Sequence, residues 1–259
     1  MRDVRELVAP LSIPAVQLVA SDLPGRSFLG GSPMSGSEIE WPCRSRKPLT
    51  FLASIHLPSL REAYEFEWLP ATGCLLFFFD AEEQPWGFDP KDGDGWAVIH
   101  VPEGSGVVIP SERQQEVRHQ YVEFRRIDTL PSWERPDVQT LNLSYSEADA
   151  LCEIAAAVYG DAAAHQVGGY PDPVQGDGME LECQLVSNGI YCGDAAGYQS
   201  PEAKRLEDGA KDWKLLLQMA SDDDLDVMWG DVGNLYFWIR EQDARDGHFE
   251  RVWTVLQCS

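Results

Sequence analysis

The sequence predicts an α+β fold: mainly antiparallel sheets in two similar, internally duplicated halves, with a few helices. Three observations lead there. Four short segments of the first half recur, in the same order, in the second. Residues 75–79 (LLFFF) and 235–239 (LYFWI) are apolar at every position, so each reads as an inner strand covered on both faces. Helix signals are few, and most of them lie in the second half.

A short helix is expected around residues 4–8. LGGSP (29–33) reads as a Gly-Gly-x-Pro loop and LTFLASI (49–55) as a strand. GCLLFFFD (73–80) reads as a turn glycine leading into a second strand, and WAVIHV (96–101) as a third strand after a charged loop. VGGYP (167–171), LLLQMAS (215–221), GNLYFWIR (233–240) and WTVLQC (253–258) repeat that series. Gly73 and Gly233 each read as tight turns that need a positive φ. LPSWERPD (130–137), with two prolines, reads as the connection between halves of about 1–135 and 136–259, inside one domain spanning 1–259.

Beyond the connection, Ser144 and Glu147 form a capping-box pattern ahead of Leu151, Ile154, Ala155 and Val158, closed by Gly160. Ser200-Pro201-Glu202 is a second helix start, with Pro at the first helical position and an acid in the first turn. In CQLVSNGIYC (183–192), Asn188-Gly189 is a two-residue hairpin signal. That pairing sets Leu185 opposite Cys192 and leaves Cys183 diagonal to it, too far for an unstrained disulfide. Cys43, Cys74, Cys152, Cys183, Cys192 and Cys258 form no CxxC and no cluster with His. They read as free thiols of a cytoplasmic protein.

The chain has 259 residues, 44% of them hydrophobic and nine of them Trp, which sets it apart from disordered acidic chains. Its net charge is −23. Residues 1–135 carry 13 Lys/Arg against 20 Asp/Glu, and residues 136–259 carry 7 against 23. Such a field repels nucleic acid and anionic lipid and speeds encounter with a basic partner. The start, MRDVRELVAPLSIPAVQLVAS, is broken by charges and two prolines, and reads neither as a membrane span nor as a signal core.

Most catalytic templates are missing. There is no GxxxxGK[ST] loop, no GxGxxG after a strand and no GxSxG elbow; GGSPMSG has two serines at the wrong spacing. The five histidines are scattered. Five aspartates within ten residues, Asp222, Asp223, Asp224, Asp226 and Asp231, form the densest acidic group. Counted as a calcium loop from Asp222, Asp224 and Asp226 fit, but the sixth position is Val227 and the twelfth is Gly233, so the template fails. A second stretch carries Asp172, Asp177, Glu180 and Glu182 without one basic residue. A third carries Asp80, Glu82, Glu83, Asp89, Asp92 and Asp94 against Lys91 alone. If the halves are copies, these acidic connections gather on one negative face.

GGSP, EWP (40–42), PLTFLASI and LPxxGxLxFF, then HQVGGYPDPVQGD, WKLLLQMASDDD and WGDVGNLYFWI, resemble the YwqG-like family, a bacterial domain of unknown function, over about residues 25–258. Ser54 stands where that family carries Gln after the FLA stretch, whereas the second half keeps Gln218. The resemblance implies an internally duplicated α+β fold. It carries no catalytic residues, metal or cofactor. It also implies a context, because some relatives look like immunity proteins of type VI secretion or polymorphic toxin systems. The leading expectation is therefore a cytoplasmic immunity protein that blocks a basic toxin effector, a nuclease such as a DNase. Its contacts are expected at Asp222, Asp223, Asp224, Asp226 and Asp231 first, and at Asp172, Asp177, Glu180 and Glu182 next. Two alternatives stay open. One is a small-molecule or metal-binding protein, even a hydrolase, with Gln175, Asp177 and Gln218 between the halves. The other is an adaptor of a secretion machine.

Overall fold

The computed structural model describes residues 3–33, 40–103 and 117–259; Ser35 of the GGSPMSG stretch lies outside them. The strands are β1 (Ile13–Ser21), β2 (Phe28–Leu29), β3 (Cys43–Arg44), β4 (Lys47–Pro48), β5 (Thr50–His56), β6 (Cys74–Phe79), β7 (Trp96–Val101), β8 (Gln120–Thr129), β9 (Gln166–Gly168), β10 (Trp213–Ala220), β11 (Asn234–Arg240) and β12 (Trp253–Gln257). The helices are α1 (Val4–Val8), α2 (Leu57–Ala63), α3 (Pro136–Gln139), α4 (Tyr145–Ala156), α5 (Met179–Val186), α6 (Ala195–Gln199), α7 (Pro201–Leu206) and α8 (Glu241–Arg245). Among the described residues, no helix is long and apolar enough to cross a membrane.

Ten strands form one antiparallel sheet, ordered β12-β11-β10-β9-β1-β8-β2-β5-β6-β7; β3 and β4 make a separate hairpin. The long pair β1–β8 sits at the centre, and from it the order runs outward as one short strand and three longer ones on either side. The sheet curls until its edges meet. Trp96 of β7 and Trp253 of β12 pack edge-on with centroids 4.9 Å apart. The Trp96 indole donates to the Val252 carbonyl at 3.0 Å, and the Trp253 indole to the Gly87 carbonyl at 2.8 Å. Residues 86–88 seal the seam, since Leu256 N–H donates to the Trp86 carbonyl. A Cβ on Gly87 would lie 1.9 Å from the Thr254 carbonyl oxygen, and its φ of +83° excludes most side chains anyway.

Inside the curl, Phe77 of β6 meets Phe237 of β11 at 5.3 Å, and one apolar cluster joins both arms. Leu76 and Phe78 turn instead to a second cluster with Trp41 and Phe51, so β6 is covered on both faces as its composition requires. The capping box at Ser144 and Glu147 starts α4, and Ser200 caps α7.

Two expectations change. Residues 183–192 are no hairpin: Met179, Cys183 and Val186 recur at helical spacing and are buried, so the first four residues of the segment lie in α5. Gly189, at φ +90°, ends that helix rather than turning a strand, and Asn188 Nδ2 donates to the Gln184 carbonyl. Gly73 does sit at φ +90°, but Gly233 is absent from the left-handed region, which holds Gly230 and Val232 instead. Gly233 is needed for proximity, because its Cβ would meet the Gln257 carbonyl oxygen at 2.1 Å, as that of Gly73 would meet Val101 at 2.4 Å. Bulges lie between Phe51 and Ala53 in β5 and between Leu215 and Leu217 in β10; by strand pairing, Phe51 and Leu215 hold like positions on the two sides of the sheet, as do Ser54 and Gln218.

If the tryptophan seam closes the sheet, Trp253→Ala should cost about 3–5 kcal/mol in urea denaturation. Trp253→Phe, which keeps one ring but loses the indole hydrogen bond and part of the packing against Trp96, should cost less, about 2–3 kcal/mol.

Candidate functional site

The aspartate group occupies the connection between β10 and β11. Leu225, Val227 and Trp229 alternate along it and are buried, whereas Asp223, Asp224, Asp226 and Met228 alternate outward and are exposed. The Ser221 hydroxyl ties the ends together, accepting from Trp229 N–H at 2.9 Å and Gly233 N–H at 3.1 Å. Asp222 is internal: one oxygen accepts from Asp224 N–H at 2.8 Å, the other from His165 Nε2 at 3.0 Å. The His165 hydrogen bond holds its carboxyl below the usual carboxylate range, burial opposing. Asp226 reaches Arg118 at 3.5 Å on the surface, a pair worth little by itself.

The tip is laced to the β6–β7 connection. Gln84 accepts from Gly230 N–H at 2.8 Å and donates to the Met228 carbonyl at 3.1 Å. Three large apolar side chains stand out on these two connections: Trp86 at 43%, Met228 at 47% and Val232 at 63% exposure. Val232 also has φ +54°, a costly conformation for a β-branched residue. The acids of the β6–β7 connection are partly neutralised from the β3–β4 hairpin, where Arg44 pairs with Asp80, Asp92 and Asp94, and Lys47 with Glu82.

The second acidic stretch is differently placed. The loop 168–177 crosses the outer face of β9 to β12, and side chains of the sheet satisfy its backbone. Gln166 donates to the Tyr170 carbonyl, and Gln218 accepts from Asp172 N–H. Asn234 and Tyr236 donate to the Asp172 carbonyl. Gln257 accepts from Val174 and Gln175 N–H and donates to the Gly176 carbonyl. Gln218, expected in a ligand site with Gln175 and Asp177, is fully buried and fastens this loop. Those two face different cavities: Gln175, with Asp172, lines one of about 360 Å³, and Asp177 one of about 650 Å³.

Asp177, Glu180 and Glu182 are engaged within the fold rather than turned freely to solvent. The Asp177 side chain is 0% exposed and bonded through both oxygens to Arg135 at 2.6 Å. Arg135 also donates to Glu180 at 2.7 Å. Burial disfavours the Arg135 charge, and its bonds to Asp177 and Glu180 more than offset that, so its pKa is raised. Burial also raises the Asp172 carboxyl. Glu182 accepts from Tyr198 at 3.3 Å through one oxygen, while the other is buried without a partner. Burial pushes its carboxyl up to about 7, Tyr198 opposing and the Glu180 charge adding. Arg135 was missed because it sits 42 residues upstream of Asp177, in a segment that reads as a linker.

The histidine nearest the aspartate group is engaged internally. His165 Nδ1 accepts from Ala220 N–H while Nε2 serves Asp222, so both ring nitrogens are used. Burial raises the thiols of Cys74, Cys152, Cys183 and Cys192. Among the described residues, no group of three or more His, Cys, Asp or Glu is placed to hold a metal ion.

Glu182 gives a pH signature. Its folded pKa of about 7 lies above the ordinary 4.5, so its contribution is fully present below pH 4.5 and is lost as pH rises through 7. Glu182→Gln should match the parent at acid pH and exceed it by up to about 3 kcal/mol at pH 8, read by denaturant titration across pH.

No curated protein matches the chain. Residues 27–258, which include both arms, the acidic tip and the loop across β9 to β12, match the family described as Domain of unknown function (DUF1963), and the chain belongs to that family.

Proposed function

We propose that this protein acts in the cytoplasm by binding a basic protein partner, and that the partner is a toxin nuclease to which it confers immunity. The observation that carries the reading is Val232. It is an exposed β-branched side chain held in a left-handed conformation, beside Asp231 at the tip of a cross-linked loop. Strain of this kind persists where the surrounding structure imposes it, and it clusters at binding sites. Here Gly233 N–H bonds the Trp229 carbonyl, and Ser259 bonds the Asp231 carbonyl through its amide and hydroxyl.

The patch has the composition of a recognition surface: an aromatic and two aliphatic anchors ringed by carboxylates. Its backbone is already bonded, so little order must be imposed on association. The net charge of −23 suits a partner whose own cleft holds phosphates with Lys and Arg. The YwqG-like resemblance and its immunity context support the same reading. The two arms, each with one short strand, a bulged strand and two further strands, we take to be copies of one ancestral unit.

Association with a basic toxin nuclease domain that the protein binds should slow about tenfold at low salt on replacing Asp223, Asp224 and Asp226 by Lys, with a flatter salt dependence. Unchanged rates would remove the loop from the interface. Val232→Gly relieves the strain while losing the anchor. It should raise stability by up to about 1 kcal/mol yet weaken the complex; tighter binding would contradict the role given to Val232.

A further inference from the structure

The cavity of about 650 Å³ lies well away from that patch in composition and charge. One wall is the aromatic run Tyr64, Phe66 and Trp68, half-buried, with ring centroids 4.8 and 5.5 Å apart in succession. Phe66 packs onto the backbone at Gly168, where a Cβ would lie 2.4 Å from its ring. The opposite side is the fastened loop, with Tyr170 beneath the Arg135 guanidinium at 4.7 Å. Trp238 lines the same cavity from the outer face of β11. It is 1% exposed, and its indole N–H is buried with no hydrogen-bond partner. With that N–H closed off from the cavity, Trp238 serves as apolar backing behind the aromatic run.

The charges are balanced, unlike those of the whole protein. Arg135, Lys211 and Lys214 face Asp177, Glu180 and Glu241, and Lys214 pairs with Glu241 at 3.4 Å. Arg135 is claimed by two carboxylates and has no net charge to offer an anion. The two lysines disfavour a cation. A purely apolar ligand would desolvate Arg135 and Glu180 without replacing their bonds to water. What remains is a neutral ligand with flat apolar faces and hydroxyls on its edges. Each hydroxyl both donates and accepts, as a paired guanidinium and carboxylate require, and pyranose rings lay their C–H faces on aromatic walls.

We infer that this cavity is a saccharide-binding site, in which Trp68 and its aromatic neighbours stack on a sugar ring while Arg135 and Glu180 bond its hydroxyls.

The test is titration of the whole protein, followed by tryptophan fluorescence and calorimetry, with glucose, galactose, mannose, N-acetylglucosamine and chitobiose. Adenosine and inorganic phosphate serve as counter-probes. At least one saccharide should saturate with a Kd of about 1 mM or tighter. Trp68→Ala should weaken it about tenfold, and Glu180→Gln, which keeps the side-chain shape and removes the charged acceptor, about fivefold, with unchanged circular dichroism. Asp231→Lys, in the partner loop, should leave it unaltered, so the two sites stand or fall separately. Silence of all five sugars, saturation by adenosine or phosphate instead, or sugar binding indifferent to both Trp68→Ala and Glu180→Gln would overturn the assignment.

Discussion

An open antiparallel sheet has two edges, and each exposes a row of unpaired backbone groups. The organisation of this protein follows from hiding both. Curling β7 onto β12 replaces edge-to-edge ladder bonds by two indole–carbonyl bonds and a short sealing segment. That closure brings Phe77 against Phe237 and fuses what would be two small cores into one. It also sets the β6–β7 and β10–β11 connections side by side, where Gln84 can join them. The acidic tip is therefore a product of closure. Neither arm alone would place Trp86 and Val232 on a common surface.

On the outer face a different constraint operates. A loop lying across a sheet must find partners for its own amides, because it covers groups that water would otherwise reach. Gln166, Gln218, Asn234, Tyr236 and Gln257 supply them from four neighbouring strands. Their burial is expensive unless every bond is made, so together they specify one loop conformation. Arg135, Asp177 and Glu180 extend the same logic into charge, with a bidentate pair closing the loop at its far end.

Much of this was legible in the sequence. Unbroken apolar runs betrayed β6 and β11, and ordered similarities located the three outer strands of each arm, because burial on both faces leaves a signature in every residue. The central pair β1–β8 was invisible. QYVEFRRIDT alternates with arginines and acids, and its partner opens near prolines, so neither looked like the middle of a sheet. The Asn-Gly pair misled because the same dipeptide that reverses a hairpin also stops a helix. For the sites, exposure of Asp223, Asp224 and Asp226 could be read from their alternation with Leu225 and Val227. The burial of Asp177 could not, since its counter-charge lies in a distant segment, and no local pattern encodes a pairing made by the fold.

The amide lacing of residues 168–177 reaches into the dynamics of the chain. Loops ordinarily exchange their amide hydrogens quickly, opening without cost to the rest of the structure. The N–H groups of Asp172, Val174 and Gln175 are tied to buried glutamines that project from the outer face of β10 and β12. Releasing them strands buried amide oxygens inside the sheet face. Their exchange is thus linked to unfolding of the strands beneath, and a segment without regular secondary structure acquires the protection of a core.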